Sequence, residues 1–315
     1  MTPRPFTGLK DGGKVVVLGS VNVDLIVSAF RLPNAGETVE GRGLVRQLGG
    51  KGANQAVGAV RAGAACTLLA AVGSDVEGAT MTATLQDYGV DVSKMIPVGL
   101  PTGAALVATS PHDNQIIVVA GANSKVDAGL VKSVEVMPGD ICLTQMETPV
   151  SAATAFFNMG QSAGATTVLN AAPASMAARE LLPLCDILVV NEAELFLLAG
   201  ADEGLNDAAL LSYRDRMGMS GRQALVATIG ADGLAIVRSG SVLRIPGHKV
   251  DVIDTTGAGD CFCGYLAAGL ARGDDLATAA IEANAAGSIA VQTVGAAASI
   301  PDRSAVLERL RQCSA

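Results

Sequence analysis

The 315-residue sequence predicts an α/β fold: a mostly parallel sheet flanked by helices, with a small second sheet beside it. Three observations carry this reading. Short apolar runs rich in β-branched residues recur along the chain, segments of helical character separate them, and two stretches instead alternate apolar and polar residues. Strands that are apolar throughout belong in a sheet covered on both faces, which is the parallel, helix-flanked case.

The first strand is KVVVLGS from residue 14, ending in glycine. Similar runs follow at 65–73, 141–145, 166–170, 187–190, 224–230 and 234–238. Helical character is seen at 53–63, 76–89, 150–164, 191–200 and 262–273, so strand and helix alternate. Residues 277–295 read as one long helix of small residues, and the tail SAVLERLRQC is amphipathic; both complete the layers of a single domain. The exceptional stretches, 24–48 and 95–123, carry Gly, Pro and Asn punctuation and read as half-exposed antiparallel strands forming the small sheet.

Composition excludes several classes. No apolar run reaches the ~18 residues of a membrane span, and MTPRPFTGLKDGGK lacks the apolar centre of a signal peptide, so the expected location is the cytoplasm. The six cysteines are scattered without paired CxxC spacing, which argues against a zinc site or a disulfide framework. Lys and Arg number 22 against 30 Asp and Glu, a net charge of −8 with no basic cluster, so nucleic acid is not the expected partner. Aromatics at 3% leave few stacking platforms for single strands.

Polar motifs stand where strands end. In open parallel sheets ligands bind beyond the carboxyl ends of the strands. GSVNVD (19–24) places Asn22 and Asp24 there with alternate spacing, an amide and a carboxylate suited to adjacent hydroxyls, although an Asx turn closing a strand accounts for the same residues. LGGKGANQA (48–56) lacks the Ser or Thr that follows the lysine of a phosphate-binding Walker loop. It reads as a glycine turn opening a helix, able to bring backbone N–H groups and Asn54 to a polar ligand. Glu147 follows one strand, and NEAE (191–194) follows another. Asn191 and Glu194 fit a helix capping box or a hydrated divalent metal beside phosphates, and spacing alone does not separate the two.

DTTGAGD (254–260) is the richest of these stretches. If Gly257, Ala258 and Gly259 open a helix, their N–H groups and the helix dipole form an anion hole, and Asp260 in the first turn can take a proton from an attacking hydroxyl. A glycine turn with an acidic residue at a helix start is the bland alternative. A hydride-transfer fold fits less well, because the first strand is not followed by GxGxxG.

Taken together, GSVNVD, GGKGANQA, NEAE and DTTGAGD, in this order over residues 14–301, resemble the signatures of the ribokinase family of carbohydrate kinases. The resemblance implies a Rossmann-like α/β domain with a small β-sheet lid that also makes a homodimer contact, and ATP-dependent phosphorylation of a sugar, D-ribose foremost. Carried onto this sequence, it implies sugar contacts from Asn22, Asp24, Gly50, Lys51, Asn54 and Glu147, with Asp260 as base and Gly257, Ala258 and Gly259 as anion hole. Asn191 and Glu194 would organise Mg²⁺ and the phosphates, with Asn191, Thr228, Gly230 and Asn284 around the nucleotide. A potassium site is implied at Asp254, Thr256, Ala290, Thr293, Gly295 and Ser299. Departures are few: NAAP (170–173) stands where many members have NPAP, and Cys261 and Cys263 flank the site, where packing is the expected role. Two other readings stand beside the ribose kinase: a family member acting on deoxyribose, another sugar or a nucleoside, and a catalytically silent sugar or nucleotide sensor.

Overall fold

The computed structural model describes residues 12–110, 113–202 and 204–313; residues 1–11, where the sequence shows no signal-peptide centre, lie outside them. The chain opens with β1 (Val15–Leu18), leaves through β2 (Asn22–Ala29) and β3 (Gly41–Gly49), and returns in helix α1 (Lys51–Arg61). A crossover of β4 (Cys66–Gly73), α2 (Val76–Asp87) and β5 (Met95–Val98) follows, and then β6 (Gly103–Thr109) and β7 (Asn114–Val119) go back to the second sheet. Next come α3 (Ala128–Val131), β8 (Ile141–Thr144), α4 (Val150–Ala163), β9 (Thr166–Asn170) and β10 (Ile187–Val190). Helices α5 (Glu192–Ala199) and α6 (Asp207–Arg216) lead to β11 (Ala224–Thr228) and the hairpin β12 (Leu234–Arg238) and β13 (Ser241–Ile245). The chain closes with α7 (Ala258–Ala271), α8 (Leu276–Ala290) and α9 (Arg303–Cys313).

Among the described residues, nine strands form one sheet in the order β13-β12-β11-β10-β9-β8-β1-β4-β5. The pairs from β11 to β5 are parallel, and the β12–β13 hairpin adds an antiparallel edge. β1 shows why its sequence is apolar throughout. Val15 and Val17 pack with α1, α7 and α8 on one face, while Val16 and Leu18 pack with α4 and its neighbours on the other, and all four are fully buried. The alanine-rich helices find their reason at the α7–α8 contact, where a Cβ on Gly269 would lie 2.7 Å from that of Ala279. Small residues bring these helices close.

The fold class is the expected one, with local corrections. Met95–Val98 is not part of the small sheet but the parallel edge of the main one beside β4, because α2 returns the chain there as a βαβ crossover. The small sheet, in the order β3-β2-β6-β7, is not purely antiparallel: β2 and β6 run parallel, since the whole α1–β5 segment intervenes between them. The helix expected to run to residue 295 ends at Ala290, where the Val291 carbonyl accepts instead from Ile253 and Asp254 N–H (2.8 and 3.1 Å). Helix α7 begins at Ala258 rather than 262, so DTTGAGD runs directly into it. Helices α3 and α6 and strand β13 are additional to the sequence reading. No helix among the described residues is long and apolar enough to cross a membrane.

Candidate active site

The motif residues meet at the carboxyl ends of the parallel strands, beneath the small sheet. Two features of local backbone build the centre. Gly257, at φ +74°, is the N-cap of α7, a left-handed conformation in which a Cβ would also lie 2.8 Å from Ala296. Helices α1 and α7 cross at Gly58 and Gly264, where a Cβ on Gly264 would lie 2.5 Å from the Gln55 carbonyl oxygen and 2.7 Å from Gly58 Cα. That close crossing delivers two α1 side chains to Asp260. Asn54 Nδ2 donates to Asp260 Oδ2 (3.0 Å) and Gln55 Nε2 donates to Asp260 Oδ1 (2.9 Å), all three residues being buried.

The start of α7 has the expected donors, with one change. The Ala258 N–H turns back to the Thr255 carbonyl (3.2 Å), so it does not serve an anion hole in this conformation. Gly257, Gly259 and Asp260 N–H have no acceptor among the described residues, and a Cβ on Gly259 would meet nothing within 4 Å. Free donors at a helix N-terminus beside open space suit an anion.

Asp24 and Asn22 project from β2, and Gln47 of β3 pairs directly with Asp24 and shares its face. Burial, followed by the Glu147 and Asp260 carboxylates and opposed by Lys51, pushes the Asp24 carboxyl up to about 7. Its Oδ1 is buried without a hydrogen-bond partner, as are Asn54 Oδ1 and Gln47 Nε2. Unpaired buried polar atoms are costly, and here they gather where hydroxyls of a ligand would satisfy them. The Asn22 oxygen accepts from Asn123 Nδ2 (2.7 Å), leaving its amide N–H groups to a ligand.

Gly50 is the N-cap of α1, and no side chain of its own caps that helix. Glu147, in the bend that follows β8, does so: its Oε2 accepts from Lys51 N–H (3.0 Å) and from Ser20 Oγ (2.5 Å). The Lys51 ammonium is held charged by Asp260 above all, against its burial, and then by Glu147 and Glu194. Glu194 is buried and forms a complete capping box with Asn191; burial, then the Asp260 charge, raises its carboxyl against the bonds from Asn191 and the pull of Lys51. The motifs are thus one electrostatic unit.

The remaining predicted residues lie at the rim. Thr228 ends β11 with its hydroxyl donating to the Val190 carbonyl (3.3 Å), Gly230 follows with open space before it, and Asn284 of α8 donates to the Pro246 carbonyl (2.9 Å). Asp254 laces two loops together: its carboxylate accepts from Thr256 N–H and from Gly295 N–H, both at 2.9 Å. Burial alone would raise that carboxyl, and the bonds from Thr256 and Gly295 overcome it and hold it low. Between Ala290 and Thr293, whose backbones are bonded (3.2 Å), the Val291 carbonyl accepts from residues 253 and 254, while Ser299 donates to the Ala296 carbonyl (2.9 Å). Cys261 and Cys263 are core residues whose thiols burial, then the Asp260 charge, pushes up, so packing is their role.

The family profile of the pfkB family carbohydrate kinases matches residues 13–303. The chain belongs to the pfkB family of carbohydrate kinases. Among relatives of this pfkB chain, a ribokinase of Haemophilus influenzae is 36% identical over 303 residues, covering 94% of this chain and 98% of its own. A ribokinase of Staphylococcus aureus is 34% identical, covering 95% and 99%. The structure of an Arabidopsis thaliana ribokinase complexed with ribose and ATP superposes with a TM-score of 0.85 at 30% identity, covering 95% of this chain and 99% of that one.

Sequence reasoning missed Ser20, Gln47, Gln55, Asn123, Gln145 and Asn170. Gln145 and Asn170 carried a readable signal, since each closes an apolar strand run at its carboxyl end. Gln55 carried one in being a large polar residue within ANQAVGAV, a helix face otherwise made of small residues.

Proposed function

We propose that this chain transfers the γ-phosphoryl group of ATP to the 5-hydroxyl of D-ribose, giving ribose 5-phosphate. The observation that carries the reading is Asp260, fixed by two amide donors in the first turn of α7, next to free N–H groups and across from the unpartnered Asp24 carboxyl. Asn22, Asp24, Gly50, Lys51, Asn54 and Glu147 hold the sugar. Asp24 accepts from a ribose hydroxyl, and Gln47 on the same face is a further donor within the subsite. The 5-hydroxyl proton passes to Asp260 as the oxygen attacks the γ-phosphorus and the bond to the departing ADP oxygen breaks. Charge on the transferring oxygens is stabilised by the Gly257 and Gly259 N–H groups, the α7 dipole and Lys51, so alignment and electrostatics do most of the work.

The nucleotide lies along Asn191, Thr228, Gly230 and Asn284. Each oxygen of Glu194 already accepts one bond from Asn191, which leaves lone pairs for a water of a hydrated ion and fits Mg²⁺ beside the phosphates. Mg²⁺ supplies charge neutralisation of the phosphates when bound. The residues implied for potassium, Asp254, Thr256, Ala290, Thr293, Gly295 and Ser299, offer one carboxylate with carbonyls and hydroxyls, a donor set of the kind a potassium ion takes, and the ion would fix the 254–257 loop that Asp254 already ties to Gly295. The small sheet acts as a lid over the sugar. It also exposes Val27, Leu44, Leu106 and Ile117 on the face turned away from Asp24, an apolar surface that a second copy covers in a homodimer. Sedimentation velocity of Ile117→Glu is expected to show monomer where the parent shows dimer; a monomeric parent removes this assembly.

The test of substrate and cation is ADP release with D-ribose, 2-deoxyribose, fructose and adenosine, each in potassium and in sodium. Ribose is expected to lead 2-deoxyribose by about 10²-fold in kcat/KM, because the analogue leaves buried polar atoms unpaired, and potassium is expected to raise the rate. A better rate with another acceptor moves the substrate, and no ADP release with any acceptor leaves a silent sensor.

A further inference from the structure

We propose that Gln55 is a positioning residue for phosphoryl transfer, locked by Gln145 and Asn170 so that Asp260 is presented to the substrate through one chosen oxygen, Oδ2. This rests on the reading of Asp260 as the base. Gln55 is fully buried, and every hydrogen-bonding group of its amide is used. Its Nε2 donates both to Asp260 Oδ1 (2.9 Å) and to Asn170 Oδ1 (3.0 Å), and its Oε1 accepts from Gln145 Nε2 (2.6 Å).

The direction of this relay is fixed at its Asp260 and Asn170 ends. Asn170 Nδ2 donates to the Val189 carbonyl (3.4 Å), which turns the Asn170 oxygen toward Gln55. A flipped Gln55 would set its carbonyl against two acceptors, Asp260 Oδ1 and the Asn170 oxygen, and lose both bonds in a buried place whichever way Gln145 turns. Asp260 Oδ1 is therefore held by a group that is itself immobile. Oδ2 is shared with Asn54, the amide that the sugar also uses, and is the oxygen left to receive the hydroxyl proton as the new O–P bond forms and the P–O bond to ADP breaks. The other charged or titratable groups acting on or near Asp260 are Lys51, Asp24, Glu194, Cys261 and Cys263, and none of them occupies Oδ1.

The experiment is a double-mutant cycle between Gln55→Met and Asp260→Ala, read as kcat and as sugar KM. Gln55→Met is expected to lower kcat about 10- to 10²-fold, the worth of a hydrogen bond to a charged group, with sugar KM within about threefold. In the Asp260→Ala background the same substitution is expected to have no further effect, because there is no base left to position. Equal losses in both backgrounds, or a loss confined to KM, would overturn the relay while leaving Asp260 as base. An undiminished kcat in Asp260→Ala alone would overturn the base reading itself. Should Gln55→Met not fold, Gln145→Met removes only the lock on Oε1, and a kcat loss of about threefold that vanishes without Asp260 carries the same test.

Discussion

Asp260→Asn is expected to lower kcat by about 10²–10⁴-fold, the range for losing a general base, while sugar affinity stays within a few-fold. The substitution preserves shape but presents an NH₂ group to one of two amide donors. Asn54 can absorb this, because its own Oδ1 has no partner and the amide can turn to accept instead. Lys51 loses the carboxylate that most favours its charge yet keeps Glu147 and Glu194 nearby, so the subsite remains cationic at that point. Turnover from ADP release and sugar affinity from calorimetry, on the same preparation, separate the two effects. An unchanged kcat removes Asp260 from the role of base, and a joint collapse of affinity and kcat makes it a sugar-binding residue.

Asp24 gives the second large effect, and it depends on pH. Its carboxyl is pushed up to about 7, first by burial and then by the Glu147 and Asp260 charges. Between the unfolded value of about 4 and 7 the native chain therefore binds the extra proton. The sign follows: the contribution of this group to stability is full below about pH 4 and declines as pH rises through 7, the reverse of a salt-bridged carboxylate. A sugar hydroxyl donating to the carboxylate needs the deprotonated form. Sugar affinity without nucleotide is thus expected to rise about tenfold between roughly pH 6 and 8 and then level off. Asp24→Asn should abolish that rise, weaken binding by about 10- to 10²-fold, and flatten the fall in thermal stability of the free protein between about pH 4 and 7. Affinity independent of pH in the parent protein would show that Asp24 does not accept from the sugar in its charged form.

Much of this site could be read from residue order. Asn22, Asp24, Asn191 and Asp260 each follow, or lie at the start of, an element whose type was plain from its apolar pattern, and the rule that ligands gather at the carboxyl ends of parallel strands then places them together. What escaped depends on contacts between distant segments. Nothing in ANQAVGAV says that Gly58 will meet Gly264, and without that crossing Gln55 is only a polar residue in a helix. The rise of the Asp24 carboxyl likewise requires Glu147 and Asp260, far along the chain, to be brought to its side. Met95–Val98 was misplaced for a different reason: MIPV is short and holds a proline, as an exposed strand does, and an edge strand of the main sheet has that same half-covered environment. The parallel pairing of β2 with β6 is a matter of topology, which side-chain alternation does not record.

The most direct measurement is to incubate the protein with ATP, Mg²⁺, potassium and D-ribose labelled with carbon-13 at position 5, and to follow phosphorus and carbon NMR together. Phosphorus coupling appearing at C5, in step with ADP formation, is the predicted result. Phosphate attached elsewhere on the sugar, or ADP formed with no sugar phosphate, would contradict the account.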